Sequence, residues 1–226
     1  MPRSIAIDGP AGAGKSTIAK KVSARLEFIY LDTGAMYRTV ALKAIKSEID
    51  TNNQQELALM MDNLNITISH DNNLQKIYLD GVDVSEAIRT AEVSVGASNV
   101  AVFPEVRLKM VELQRRIAAD KDVVMDGRDI GSYVLPNADL KIFLTASVEE
   151  RARRRYEELI QKGQTVSLEQ VRDEMLFRDN NDSSRAFAPL KKVPDAIEID
   201  STKLCIDEVV DKILYFYENY SNISKS

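Results

Sequence analysis

Gly9-Pro10-Ala11-Gly12-Ala13-Gly14-Lys15-Ser16-Thr17 decides the fold of this chain. The spacing is G-x-x-x-x-G-K-[ST], the signature of a loop that cradles phosphate. Ser4–Asp8 before it reads as a short buried strand, and residues 17–25 after it read as a helix. That strand–loop–helix order is the context the motif needs. The glycines let successive backbone N–H groups close around an anion without a Cβ in the way. The helix start adds the positive end of its dipole. Lys15 has the reach for β- and γ-phosphates, and the Ser16 hydroxyl suits Mg²⁺. The expected phosphate-binding set is therefore Gly9, Pro10, Ala11, Gly12, Ala13, Gly14, Lys15, Ser16 and Thr17, with Ser16 as metal ligand.

Four further apolar runs have strand length: residues 28–32, 122–126, 140–144 and 196–200. Helical patterns separate most of them. Alternation of this kind predicts an α/β fold, a five-stranded parallel sheet with helices on both faces. Four of the five strands end in Asp: Asp8, Asp32, Asp126 and Asp200. Ligands bind at the carboxyl ends of such strands, so those ends are where function is sought. Two stretches interrupt the alternation. In the first, residues 65–70 and 75–80 alternate apolar and polar around Asp71-Asn72-Asn73, which predicts a β-hairpin. The second runs from Ser147 to about Val166. Ser147-x-x-Glu150 predicts a capping box, Gly163 a helix stop, and Ser167-x-x-Gln170 the start of another helix. Both stretches read as inserts on one core, not as separate domains.

The 226 residues suffice for one α/β domain with inserts, and 44% of them are apolar, enough for a sizeable core. A net charge of -5 argues against broad binding to nucleic acid or to a membrane surface. One cysteine, Cys205, allows no intrachain disulfide and fits a reducing compartment. No apolar stretch has signal-peptide length or approaches the ~20 residues of a membrane helix. The expectation is a cytoplasmic protein without a membrane or nucleic-acid partner. His70, the single histidine, reads as a surface residue, and Cys205 as a small core residue. Tyr215, Phe216, Tyr217 and Tyr220 are expected to pack the last helix onto the sheet, with residues 221–226 a frayed tail.

A phosphate loop alone does not name a function. A switch-type GTPase normally carries Asn-Lys-x-Asp to read guanine, and no such segment is present. A kinase of a small acceptor needs a second, cationic site. Asp32-Thr33-Gly34-Ala35-Met36-Tyr37-Arg38 opens at the end of the second strand, with Thr33 a candidate helix cap and Arg38 one turn further on. Asp126-Gly127-Arg128-Asp129 sits at the end of the third. Arg178, Asp182 and Arg185, spaced by four and three, would share one helical face.

These segments, with Ile130-Gly131 and Arg185-Ala186-Phe187-Ala188-Pro189-Leu190, resemble the bacterial cytidylate kinases, P-loop nucleoside monophosphate kinases. The likeness runs from Ser4 to about Tyr217. It implies a single kinase domain with core segments at about 1–38, 102–146 and 186–226. It also implies a small α+β monophosphate-binding insert at about 39–101 and a short helical lid at about 147–166. It implies transfer of the γ-phosphate of ATP to CMP or dCMP, with Mg²⁺, in line and without a covalent intermediate, by a monomer. Arg38, Arg128 and Arg185 would grip the acceptor phosphate, with Thr33 beside them. Ser98, Arg107 and Asp129 would read cytosine, and Arg178 and Asp182 would contact the sugar. Lys15, Arg38, Arg128 and a lid arginine, taken as Arg154 from the run Arg151, Arg153, Arg154 and Arg155, would act in catalysis. Thr33 stands where the family often has Ser, and Ser16 where some members have Gly.

Overall fold

The computed structural model describes residues 2–71 and 74–223. The turn at Asn72-Asn73, the side chains of Asp71, Leu74 and Tyr220, and most of the expected frayed tail lie outside the described residues. In chain order the elements are β1 (Ser4–Asp8), α1 (Lys15–Leu26), β2 (Ile29–Asp32), α2 (Thr33–Lys46), α3 (Gln54–Asp62), β3 (Ile66–Asp71), β4 (Leu74–Leu79) and β5 (Val82–Asp83). There follow α4 (Ala91–Val100), α5 (Pro104–Ala118), β6 (Val123–Gly127), β7 (Leu140–Thr145), α6 (Val148–Gln161), α7 (Leu168–Ser184), β8 (Ile197–Asp200) and α8 (Ile206–Ile223).

The main sheet has the order β2-β6-β1-β7-β8, and every pair is parallel. Alternation along β1 shows why it lies in the middle. Ile5 and Ile7 face the core under α1 and α8, while Ala6 faces the opposite core, under α2 and α5. A strand buried on both faces reads as a continuous apolar run, which is how the sequence spells it. On the α8 side the buried stripe is Val209, Val210, Ile213 and Tyr217, and Tyr217 meets Phe28 edge-on. Tyr215 points to solvent instead, because it lies outside that stripe. Cys205 is exposed, a correction to its expected burial: it precedes the first turn of α8, and its N–H donates to Glu208.

β3, β4 and β5 form a separate antiparallel sheet whose apolar side, Ile66, Ile77 and Leu79, joins the core shared with α2 and α5. The main sheet and the insert thus share one continuous core. Helix α2 runs across residue 38, so no structural break falls there. His70 is half-buried and bonded, not the free surface residue expected. Its Nε2 donates to the carbonyl of Tyr30 at 2.8 Å, and the side-chain oxygen of Gln75, its cross-strand partner, accepts from Asp32 N–H at 2.7 Å. β2 is an edge strand, and these two side chains satisfy backbone groups that a missing neighbour strand would have paired.

The helix ends follow their local chemistry. Ser167 and Gln170 form the full capping box. At Ser147 only half of the expected box exists. Its hydroxyl accepts from Glu150 N–H, but its own N–H goes to Thr202, because Glu150 is bound to Arg153 and Arg154. α6 ends as Gly163 implied: Gly163 has φ 75°, its N–H reaches Ile160 O and that of Gln164 reaches Leu159 O.

Candidate active site

The carboxyl ends of β1, β2 and β6 converge on the loop that begins at Gly9. Gly9 has φ 152°, and any Cβ there would run into the backbone carbonyl of Leu144 on β7. Gly12 has φ 73°, and a Cβ would lie 2.5 Å from the Met175 side chain of α7. The loop is therefore gripped from two sides. Lys15 is buried and its Nζ donates to Pro10 O at 2.7 Å. Burial, and then the nearby charge of Arg128, lower its pKa.

Ser16 is exposed, and its hydroxyl donates to Asp126 at 3.1 Å. Asp126 also accepts from the Tyr30 hydroxyl at 2.7 Å. Burial, and then Asp32, raise the Asp126 pKa to about 6. These are hard oxygen donors short of positive charge, and they suit Mg²⁺. Among the described residues no cluster of three or more His, Cys, Asp or Glu could cage an ion. A cation here would share its ligands with phosphate and water, as Mg²⁺ prefers.

Asp8 closes β1. It is buried, and its two oxygens accept from Ile130 N–H and Gly131 N–H, each at 2.8 Å. Those two amides follow directly on Arg128 and Asp129. The residue before the phosphate loop thus holds the turn that carries Arg128 and Asp129.

On that side, Arg107 of α5 is buried. It donates to Asp129 at 2.5 Å and to Ala101 O at 3.1 Å. Its guanidinium lies 5.6 Å from the Tyr37 ring centroid and 6.0 Å from that of Phe187. Its Nε and the Ser98 hydroxyl are buried with no hydrogen-bond partner among the described residues. Arg128 donates to Asp182 at 2.5 Å, and Arg185 holds the other oxygen of the same carboxylate. Arg38 pairs with Asp32 at 2.9 Å. Arg178 has no carboxylate bonded to it among the described residues. Burial, and then the charges of Arg128, Arg155 and Arg38, push its pKa down to about 10. Arg185 is pushed to about 10 by burial and by Arg107 and Arg128.

The structure therefore brings together Lys15, Arg38, Arg107, Arg128, Asp129, Arg178, Asp182 and Arg185, while for Ser98 it shows a buried hydroxyl on α4 without a partner among the described residues. Thr33 differs from its expectation as a cap. Asp32 caps α2 by accepting from Ala35 N–H, and the buried Thr33 hydroxyl is turned onto the carbonyl of Asp126. Arg154 also differs. It donates to Glu150 and to Ser201 O at 2.7 Å, on the flank of α6 that faces the loop after β8. Arg151 and Arg155 share a different face, four residues apart. Arg151 is buried and donates to Ala11 O at 2.8 Å, and the charge of Arg155 reaches Arg178. Sequence reasoning missed Tyr30, Tyr37, Phe187 and Asp179, and marked Asp8 only as a strand-end carboxylate without a role. The strand-end carboxylates were the available signal for Asp8. For the aromatics no local pattern separates a site residue from a core one. A surface groove between α3 and α5, lined by Leu59, Met61 and Leu108, holds none of these groups.

A family model described as cytidylate kinase matches residues 5–219. A cytidylate kinase from Desulfitobacterium hafniense (strain Y51) is 54% identical over 95% of this chain and 92% of its own length. One from Clostridioides difficile (strain 630) is 54% identical over 93% and 95%, respectively. In overall fold the chain is similar to a gluconokinase from Sinorhizobium meliloti 1021, with TM-score 0.50, 12% identity and coverage of 99% and 96%. A protein from Eubacterium ventriosum ATCC 27560 has TM-score 0.52 at 14% identity and coverage of 96% and 98%.

Proposed function

The chain belongs to the cytidylate kinase family and is a nucleoside monophosphate kinase that phosphorylates CMP with ATP as donor; from that premise we propose how its own residues do so, and that dCMP is accepted as well. The observation that carries the reading is the crowding of like charge. Lys15, Arg128, Arg178 and Arg185 gather around the carboxyl ends of β1 and β6; burial lowers the pKa of each, and the charge of Arg128 lowers Lys15, Arg178 and Arg185 further. Such a cluster is costly until anions enter it. Two phosphorylated substrates are the anions that fit.

The loop amides and Lys15 hold the ATP phosphates. Ser16, with Asp126 behind it, would hold Mg²⁺, which when bound neutralises charge on the β- and γ-phosphates. Arg38, Arg128 and Arg185 grip the CMP phosphate, and arginine suits this through its planar fork. An anionic oxygen of that phosphate attacks the γ-phosphorus while the bond to the β-phosphate oxygen breaks. ADP and CDP leave, and no general base is required. In-line transfer of this kind rests on positioning and charge, without a covalent intermediate. Asp129 accepts from the cytosine amino group, while Arg107 and Ser98 supply donors to N3 and the 2-carbonyl. Arg178 and Asp182 lie at the sugar.

We further propose that the insert holds the acceptor, that α6 and the residues to about 166 close over ATP, and that Arg155 is the lid arginine that reaches the acceptor side. Closure excludes water, which would otherwise take the phosphoryl group. The chain is read as a monomer with no nucleic-acid or membrane partner, and a cytoplasmic place is part of the same proposal. Among the described residues no helix is long and apolar enough to cross a membrane. The test is ADP release with ATP and a panel of CMP, dCMP, UMP, AMP, GMP and dTMP. Turnover with CMP and dCMP well above the rest is expected. Equal turnover with UMP would sink the base-reading assignment.

A further inference from the structure

Helix α7 carries a second pattern that the phosphate grip does not use up. Met175, Arg178, Asp179 and Asp182 are spaced i, i+3, i+4 and i+7, so they form one stripe along the helix. Two of the four touch the donor loop. The Met175 side chain fills the space that a Cβ on Gly12 would occupy. Asp179 accepts from the N–H of Ala11 at 3.2 Å and from Arg151 at 2.6 Å, while Arg151 donates to the carbonyl of the same Ala11. Both backbone groups of one loop residue are thus held by side chains of α6 and α7. The other two residues of the stripe face the acceptor cluster. Arg178 lies among Arg128 and Arg38, and Asp182 bridges Arg128 and Arg185.

A rigid helix that reads the donor loop at positions 175 and 179 and the acceptor cluster at 178 and 182 cannot move at one site without moving at the other. The opposite face of α7 is exposed, with Glu174 and Phe177 in solvent, so among the described residues no side chain covers it there. Its rotation is set by the stripe. We propose that α7 couples the two nucleotide sites, and that Asp179 is the positioning residue that does so. By holding Ala11, Asp179 fixes the helix in the orientation that presents Arg178 and Asp182 to the acceptor. When ATP orders the loop, the same contact brings the acceptor groups into register. By linkage, CMP then tightens ATP by the same factor. This rests on the assignment of the loop to ATP and of the cluster to CMP.

Calorimetric titration tests it. CMP affinity is measured with and without saturating Mg²⁺ and β,γ-methylene-ATP, in the native enzyme and in Asp179→Ala. Binding of each nucleotide alone to the native enzyme tests the site assignment, separately from the coupling. The native enzyme is expected to bind CMP at least about fivefold more tightly when the analogue is present, the lower end of ordinary coupling. In Asp179→Ala that factor should fall to within about twofold of one. Glu174→Ala, on the exposed face, should keep the native factor. A residue that serves only stability would lower the melting temperature and leave the factor intact. An unchanged factor in Asp179→Ala, or no coupling in the native enzyme, overturns the proposal. If Asp179→Ala does not fold, Asp179→Asn decides, because its amide keeps the shape but cannot accept from both Ala11 and Arg151. Hydrogen exchange on the native enzyme needs no variant. The analogue alone should slow exchange of the amides at 176–184, and unaltered exchange there would equally overturn the proposal.

Discussion

Nine consecutive residues, 9–17, make the loop proposed to hold ATP, whereas the cluster proposed to hold CMP is drawn, Ser98 of α4 included, from five parts of the chain. Arg38 comes from α2, Arg107 from α5, Arg128 and Asp129 from the turn after β6, and Arg178, Asp182 and Arg185 from α7 and its end. The donor loop is fixed by its own backbone, by packing onto β7 and by the ties of Ala11 to Arg151 and Asp179. The acceptor groups are fixed by tertiary ties: Asp8 to the turn, His70 and Gln75 to β2, Asp182 between two arginines. A contiguous site tolerates changes in distant scaffold. A distributed site inherits every slack in the elements that carry it. Scaffold substitutions should therefore fall on CMP far more than on ATP.

The largest effect belongs to the donor half. Lys15→Ala removes a buried cation placed for charge that develops in transfer, and kcat should drop by about 10²–10³ with the fold intact. Near-normal turnover in a steady-state assay would take the loop out of the mechanism. In the acceptor half, Arg128→Ala should cost kcat/KM for CMP about 10–10², the worth of a lost charged hydrogen bond, while ATP binding changes much less. Comparable losses for both nucleotides would dissolve the distinction between the halves. Asp129→Asn adds specificity to the test. It replaces the carboxylate that holds Arg107 with an amide whose single oxygen cannot serve both Arg107 and the cytosine amino group. The ratio of kcat/KM for CMP over UMP should narrow, chiefly through CMP. An unchanged ratio would reduce Asp129 to an anchor for Arg107.

The same contrast explains what was legible in the sequence. The loop, the five parallel strands and the strand-end carboxylates are local signals, and each was readable before the structure. Arg178, Asp182 and Arg185 were readable because helical periodicity puts them on one face. Arg107 and Ser98 carried no signal of their own. A lone Arg on an amphipathic helix looks like a solvated charge, and only the resemblance to a family gave them a role. Arg154 shows the limit in reverse. Within a run of arginines on α6, composition does not say which flank meets the site and which meets Ser201. His70 failed for a related reason: alternation in β3 fixed its strand, but not the edge strand onto which the hairpin folds.

Asp8 offers a pH test of how the halves are joined. Burial raises its pKa from the ordinary carboxylate value to about 6, against the two backbone bonds that lower it. Lys15, Arg128 and Asp129 are the charged groups that bear on it. Its contribution to stability has the sign of a raised pKa: present at low pH, and lost as pH rises through about 6. Its contribution to activity runs the other way. Ionised, it accepts from both Ile130 and Gly131; protonated, it loses one of those bonds and loosens the turn behind Arg128. kcat/KM for CMP should therefore fall below about pH 6. The CMP phosphate and Asp126 titrate in the same range, so the comparison is with Asp8→Asn, whose acid limb should be shallower by one proton. An identical limb would remove Asp8 from the profile.

The smallest effect concerns the edge of the sheet. His70→Ala leaves the Tyr30 carbonyl without its donor, and Gln75→Ala leaves Asp32 N–H without its acceptor. Both sites are only partly buried, so water recovers some of the loss, and each change should cost about 1 kcal/mol. For a chain of this size that is a shift of about 2–4 °C in Tm by thermal denaturation. The two side chains are cross-strand partners on one hairpin, so the double variant should cost less than the sum, the first change having already freed the hairpin from β2. The kinetic signature separates this from general weakening. Asp32 holds Arg38 and caps α2, so a loosened hairpin should raise KM for CMP. Ser16 and Lys15 are tied to Asp126 and Pro10, not to the hairpin, so KM for ATP should stay where it was. If both constants rise together in His70→Ala, slack in the insert is transmitted to the donor loop, and the two halves are less independent than their construction implies.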